Sequence, residues 1–173
     1  LISTVFSLYI GAVLLRFLLA LVRADFYNPL SQFLVKITNP VLVPLRRFIP
    51  PISKMDTASI VLAFTLKLVS VILLMSIQGV EVGFISIVLA VIADLIRTVV
   101  WIFMIALIIQ AIMSWVGNSY GNPMASLLDS LTAPVLEPIR KIVPLIGMVD
   151  LSPLVAILLL QVVLIALSGF PNI

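Results

Sequence analysis

The chain lacks cysteine and histidine, and only 10% of its 173 residues are charged. Without cysteine there are no disulfides and no thiolate metal sites. Without histidine the commonest general base and the commonest transition-metal ligand are missing, so we expect no enzyme activity and no cofactor. The formal net charge of +3 is small, and we expect no nucleic-acid partner.

Apolar residues dominate instead and make up 63% of the sequence. A soluble domain usually carries about 25% charged residues on its wet surface, so lipid must replace water around much of this chain. A spanning helix needs about 20 mostly apolar residues. We predict four such helices, at about residues 1–22, 57–77, 98–116 and 151–167. The predicted fold is therefore an all-α membrane protein.

The apolar stretch before the third span is ambiguous. Residues 84–116 are too few for two spans with a turn, yet one helix of that length would measure roughly 50 Å. We therefore predict an interfacial helix over residues 80–96 that leads into the third span. Asp94 and Arg97, three apart on one helix face, would then lie at the headgroup level.

The sequence contains an internal repeat at an offset of 94 residues, the distance from Pro40 to Pro134. We predict a first repeat at 1–79 and a second at 97–173, each with two spans. Because both would enter the membrane from the same side, they are parallel repeats. The matching positions are Asn28-Pro29 with Asn122-Pro123, Thr38 with Thr132, Pro40-Val41-Leu42 with Pro134-Val135-Leu136, Pro44 with Pro138, Arg46 with Arg140, Arg47 with Lys141, Pro50 with Pro144, and Asp56 with Asp150.

Basic residues concentrate in the connection within each repeat, which predicts that these connections face the cytoplasm and both termini the opposite side. The connection between the repeats holds only one basic residue, Arg97. The basic residues of the two intra-repeat connections are Arg23, Lys36, Arg46, Arg47, Lys54, Arg140 and Lys141.

Each connection is rich in proline, and we predict two short helices of about ten residues that meet at Pro40 or Pro134. Asn28 and Asn122 would cap the first piece, with proline at its first position. The pieces either lie flat on anionic headgroups or form a re-entrant hairpin, and the mid-element basic residues favour the flat placement. The candidate contacts with anionic lipid or a partner are Arg46, Arg47, Arg140 and Lys141.

Other polar residues invite structural and functional interpretations side by side. Asp56 and Asp150 each precede an apolar helix, so they are expected as helix caps rather than as an ion-binding pair. Arg16 and Lys67, with their repeat counterparts Gln110 and Gln161, fall inside the spans. Arg16 either snorkels to the interface or joins a polar interior.

Lys67 is expected near the bilayer centre, where a charge is costly and needs a partner. The candidate partners are Gln161, Gln110 and Ser70, and no acidic residue is expected at that depth. Lys67 serves either an interhelical hydrogen bond or a permeation path.

The repeated sequence resembles the signature of the YggT family. It reads Asn-Pro, then Pro-Val-Leu-x-Pro-[Leu/Ile]-Arg-[Arg/Lys]-x-[Ile/Val]-Pro, then Asp, from Asn28 to Asp56 and again from Asn122 to Asp150. The stretches 25–29 and 111–115 also resemble that family. The resemblance implies a small bacterial inner-membrane protein with relatives in plastids. It implies a loose link to osmotic-stress tolerance and, for the plastid branch, to cytochrome assembly, but no activity or catalytic residues.

Two functions fit these observations. The first is a non-enzymatic scaffold or regulator of a membrane complex, which binds lipid or a partner through its basic connections. The alternative is a small channel or a transporter of ions or osmolytes, formed by an oligomer around the polar helix faces. A homo-oligomer or a membrane-protein partner is expected under both.

Overall fold

The computed structural model describes residues 2–52, 55–79, 82–116, 122–143 and 150–170. These residues form six helices: α1 (Ile2–Leu21), α2 (Pro29–Phe48), α3 (Thr57–Gln78), α4 (Phe84–Val116), α5 (Pro123–Arg140) and α6 (Ser152–Leu167). The all-helical class is as predicted. Residue 1, Lys54, residues 80–81, Pro144 and residues 171–173 belong to predicted segments but lie outside the described residues.

Three helices are long and apolar enough to cross a membrane. These candidate spans are Ser3–Leu21, Thr57–Gln78 and Phe84–Ser114. The predicted fourth span coincides with α6, which is equally apolar but has 16 residues. At 1.5 Å per residue α6 measures about 24 Å, somewhat less than the roughly 30 Å of a hydrocarbon core.

Helix α4 is one unbroken helix of 33 residues. The boundary predicted near residue 96, between an interfacial helix and a third span, has no break in the structure. Every residue from 84 to 116 favours continuation, because the stretch contains neither proline nor glycine.

Helices α2 and α5 correct a second expectation. Each is continuous, although two prolines lie inside it. Pro40 and Pro44 are both on the exposed face of α2, so their missing hydrogen bonds leave no buried carbonyl unsatisfied. The opposite face of α2 buries Leu34, Thr38 and Leu42, and this packing holds the helix together across the prolines.

Both helices begin as the sequence predicts. The Asn28 side chain accepts a hydrogen bond from the Leu30 amide at 3.0 Å, and the Asn122 side chain accepts one from the Met124 amide at 2.9 Å. A proline occupies the first helical position in each case. The cap satisfies an amide that the first helical turn cannot satisfy itself.

The core repeats with the sequence. In the first repeat Val13 and Leu42 are fully buried with Leu62 between α1, α2 and α3. Their counterparts at the offset of 94 form a second cluster between α4, α5 and α6. A third cluster joins the repeats by packing α1 against α4 and α5. The counterparts of Val13, Leu42 and Leu62 are Leu107, Leu136 and Ala156.

The outer faces of the apolar helices carry large exposed side chains. Leu8, Ile85 and Ile165 are each at least 70% exposed. Water would make such a surface a strong aggregation site, whereas acyl chains solvate it well. The exposed faces therefore agree with a protein whose surroundings are lipid.

Candidate functional site

An arginine–aspartate pair closes the connection in each repeat. Arg46, at the end of α2, donates from Nε to Asp56 Oδ1 at 3.3 Å and from Nη2 to Oδ2. Arg140, at the end of α5, donates from Nε to Asp150 Oδ2 at 3.0 Å. Each pair ties the end of an amphipathic helix to the start of the next apolar helix. Two of the four predicted lipid-contact residues, Arg46 and Arg140, therefore have partners inside the protein.

The two aspartates differ in how they meet the following helix. The Asp150 side chain accepts the Ser152 amide at 2.9 Å, although the N-cap position of α6 is Leu151, one residue later than predicted. Asp56 occupies the cap position of α3 but makes no side-chain bond to a backbone amide. It accepts the Ser59 hydroxyl at 2.6 Å instead, because Arg46 engages the same carboxylate.

The pKa of both carboxyl groups lies below the ordinary value of aspartate. Burial alone would raise the pKa of Asp56, but hydrogen bonds from Arg46 and Ser59 and the nearby positive charge outweigh it. Burial likewise opposes a lowered pKa at Asp150, where hydrogen bonds from Ser152 and Arg140 prevail. Both carboxyl groups are therefore ionised at neutral pH.

A second repeated contact joins the long helices to the amphipathic ones. Arg16 of α1 is 6% exposed and donates from Nη1 to the hydroxyl of Thr38 on α2. Thr132 of α5 donates to Gln110 Oε1 of α4 at 2.6 Å. Both threonines are fully buried, and each hydroxyl also lies within hydrogen-bond distance of the carbonyl four residues earlier in its helix, so Thr132 shares its one proton between two acceptors. Arg16 thus belongs to the protein interior.

The second repeat adds a carboxylate that the first repeat lacks. Gln110 donates from Nε2 to Asp129 Oδ1 of α5. Val35 is the residue of the first repeat that corresponds to Asp129. The polar group around the buried threonine therefore contains a positive side chain, Arg16, in the first repeat and a negative one, Asp129, in the second.

A third charged group lies between apolar helices. Lys67 of α3 forms an ion pair with Asp94 of α4, and Arg97 approaches the same carboxylate at 3.8 Å. Both cationic side chains are only 12% exposed. Arg97 also donates to the carbonyls of Leu167 and Phe170 at the end of α6, where the helix dipole is negative.

This ion pair corrects the partners expected for Lys67. Glutamine and serine were the candidates, and no acidic residue was expected at its depth. A count from the turn would have found Asp94, because Lys67 lies 11 residues before Gln78 and Asp94 lies 10 after Phe84. Gln161, the repeat counterpart of Lys67, is exposed on α6.

The described residues do not bring together the ligands of a metal site. They contain no group of three or more acidic side chains that would hold a metal ion. The arrangement instead supplies fixed charges, which can bind charged groups or hold helices in register.

The sequence of both repeats matches one protein family. The family model described as CCB3/YggT matches residues 1–77 and 89–170. The chain belongs to the YggT family. Its two matched segments correspond to the two halves that share the arginine–aspartate pair and the polar contacts to threonine.

Several YggT-family relatives are similar over nearly the whole chain. An uncharacterized protein of Pseudomonas aeruginosa is 44% identical over 98% of this chain and 91% of its own length. The uncharacterized protein YggT of Escherichia coli K12 is 39% identical over 94% of this chain and 85% of its own length. A Vibrio alginolyticus protein is 43% identical, with 93% and 88% covered. No solved structure matches the chain.

Proposed function

We propose that this YggT-family chain is a non-enzymatic protein of the bacterial inner membrane, which scaffolds or regulates a membrane complex linked to envelope or osmotic-stress physiology. We place its repeats at 1–79 and 97–173, with residues 80–96 between them. Four parallel-repeat spans, including α6, put both basic connections on the cytoplasmic side and both termini opposite. The match of the family model to two segments supports this division.

One observation carries the proposal: a basic residue followed by a prominent apolar residue ends the amphipathic helix of each repeat. Arg47 precedes Phe48, which is 83% exposed, and Lys141 precedes Ile142, which is 81% exposed. No hydrogen bond or ion pair joins the side chain of Arg47 or of Lys141 to another described residue. A cation beside an apolar side chain suits the boundary between anionic headgroups and acyl chains.

The proposed partners are therefore anionic phospholipids, held by Arg47 and Lys141. Arg46 and Arg140 contribute indirectly, because their aspartate pairs fix the helix ends that present these residues. Homo-oligomers or a partner membrane protein would complete the scaffold.

Lipid retention tests this proposal. The full chain, extracted from membranes that contain phosphatidylglycerol, is examined by native mass spectrometry as wild type and as Arg47→Gln/Lys141→Gln. Each basic residue near a membrane surface contributes about 1 kcal/mol, so we expect roughly a fivefold loss of retained phosphatidylglycerol per site.

Arg23→Asn is the matched control. Arg23 is an exposed cation in the same connection, and its positive φ of 54° is one that asparagine tolerates. If the double variant retains as much phosphatidylglycerol as the wild type, or if the control loses as much as the double variant, Arg47 and Lys141 have no specific role in binding the lipid.

A second function is favoured by the charged group of Lys67, Asp94 and Arg97. Charged residues between spanning helices often line a path for ions or protons. In this alternative an oligomer conducts ions or osmolytes. Flux through the protein in liposomes should then change in Lys67→Leu. If the wild-type protein is folded and inserted but shows no flux, the channel is excluded and the scaffold proposal stands.

A further inference from the structure

The second repeat contains a cavity of about 480 Å³ between α4, α5 and α6. Small-molecule sites commonly fall between about 300 and 1,000 Å³. Apolar side chains from all three helices line it, among them Met113, Leu128 and Ile157. Gln110 and Asp129 add polar groups to its wall. The cavity thus combines the size and the mixed lining of a site for an amphipathic molecule.

The charges that line this cavity do not cancel. Arg140 and Asp150 pair with each other. Asp129 accepts a hydrogen bond from the neutral Gln110, and no cation among the described residues pairs with it. One negative charge is therefore left at the cavity wall, on an exposed side chain that a ligand can reach.

The first repeat has different side chains at the positions that correspond to this part of the cavity wall. Arg16 stands at the position of Gln110, Phe17 at that of Ala111, and Val35 at that of Asp129. The Arg16 guanidinium is buried against Thr38. At these positions the first repeat has a buried cation and a larger side chain, whereas the second has a carboxylate and lines the cavity.

We propose that the cavity of the second repeat binds a cationic amphiphile, with an ammonium group on the carboxylate of Asp129 and an alkyl chain along the apolar wall. The ligand would lie beside Gln110, which occupies the position of Arg16 and bonds Thr132 as Arg16 bonds Thr38. Such an ammonium group belongs to a phospholipid with an ethanolamine headgroup or to a free alkylamine. This site is separate from the proposed contacts of Arg47 and Lys141 with anionic lipid.

Competitive lipid retention tests the proposal on the full chain. The protein is placed in nanodiscs of phosphatidylglycerol mixed with either phosphatidylethanolamine or N-acetyl phosphatidylethanolamine, whose nitrogen carries no charge. Native mass spectrometry counts the lipid retained on the protein. Octylamine and octanol are then added in parallel as soluble competitors that differ in the ammonium group.

Two variants remove the proposed contact in different ways. Asp129→Asn keeps the shape and an acceptor for Gln110 but removes the charge. Gln110→Arg copies the first repeat and places a protein cation against Asp129. Because a charge-assisted hydrogen bond is lost in both, we expect retention or competition to fall about tenfold. Asp25→Asn is the control, since Asp25 is an exposed carboxylate that accepts the Tyr27 amide outside the cavity.

The outcomes separate the sources of the ammonium group. Preferential retention of phosphatidylethanolamine, lost in both variants and kept in the control, identifies the lipid headgroup. Binding of octylamine but not octanol, without preference for phosphatidylethanolamine, identifies a free amine. If neither ammonium compound binds better than its uncharged counterpart, or if a folded Gln110→Arg shows no loss, the proposal is overturned. The unfolding temperature of each variant shows whether it is folded.

Discussion

At the scale of single residues, two ionised carboxyl groups hold the connections closed. The pKa of Asp56 and of Asp150 is lowered in the folded protein, although burial opposes the change. A lowered pKa contributes stability that is present above the unfolded value of about 3.9 and is lost as the pH falls through the folded value.

We therefore predict that the unfolding temperature falls as the pH is lowered from about 5 to 3, around the ordinary pKa of aspartate. Protonation of Asp56 and Asp150 releases Arg46 and Arg140. The measurement is thermal unfolding in detergent at each pH, for wild type beside Asp56→Asn/Asp150→Asn. The double variant should have a lower unfolding temperature than the wild type at pH 5, and its unfolding temperature should fall less between pH 5 and pH 3. An identical pH dependence in both proteins would contradict the role of these pairs.

The two buried threonines give a matched comparison. Thr38→Val leaves the guanidinium of Arg16 without its described partner, whereas Thr132→Val removes a bond to the neutral Gln110. Loss of a bond to a buried charge costs about 1.5–3 kcal/mol and loss of a neutral one about 0.5–1.5 kcal/mol. We expect the free energy of unfolding to fall more in Thr38→Val. Equal losses would show that Arg16 finds another partner.

Some of these residue-scale features follow from the sequence, and others do not. Asn28 and Asn122 are readable as caps because a cap depends on its own first helical turn. The pairing of Lys67 with Asp94 depends on the register of two helices and on the length of α4. The repeat pattern does not single out Asp129, because its counterpart in the first repeat, Val35, is apolar.

At the scale of helices, the ion pair between Lys67 and Asp94 fixes the register of α3 against α4. Removing one partner of a buried ion pair costs about 3–5 kcal/mol when the remaining charge is uncompensated. Arg97 stays 3.8 Å from Asp94, so we predict that Lys67→Met lowers the free energy of unfolding by less, about 1–3 kcal/mol. Lys67→Met/Asp94→Leu should recover most of the loss, as measured by unfolding in mixed micelles.

Gln161→Met is the control for this pair, because Gln161 is the repeat counterpart of Lys67 and lies exposed on α6. An exposed substitution away from special contacts changes stability by less than about 0.5 kcal/mol. If the double variant loses the sum of the two single losses, the residues are not coupled.

The amphipathic helices show where local sequence rules fail. Proline predicts a helix end from the missing amide and the clash of its ring, which are properties of a single isolated turn. Continuous α2 and α5 depend on the buried face of each helix, with Leu42 and Leu136 fully buried in equivalent clusters. That packing energy comes from other helices, so the local pattern does not contain it.

At the scale of the whole molecule, the chain offers a direct test of topology because it has no cysteine. Single cysteines at Thr4, Gln32 and Gly169 are labelled in intact cells with a membrane-impermeant maleimide. Four spans predict that Thr4→Cys and Gly169→Cys react from outside and Gln32→Cys does not. If α6 does not cross, Gly169→Cys will be protected together with Gln32→Cys.

Helix α4 has a mechanical consequence for the molecule. It carries Asp94 ten residues after its start and Gln110 sixteen residues later, about 24 Å apart along a continuous helix without proline or glycine. A tilt of this helix displaces the ion pair and the wall of the cavity together and in opposite directions. Force applied to one end of α4, by membrane tension or by a neighbouring protein, is therefore delivered to the other end as movement.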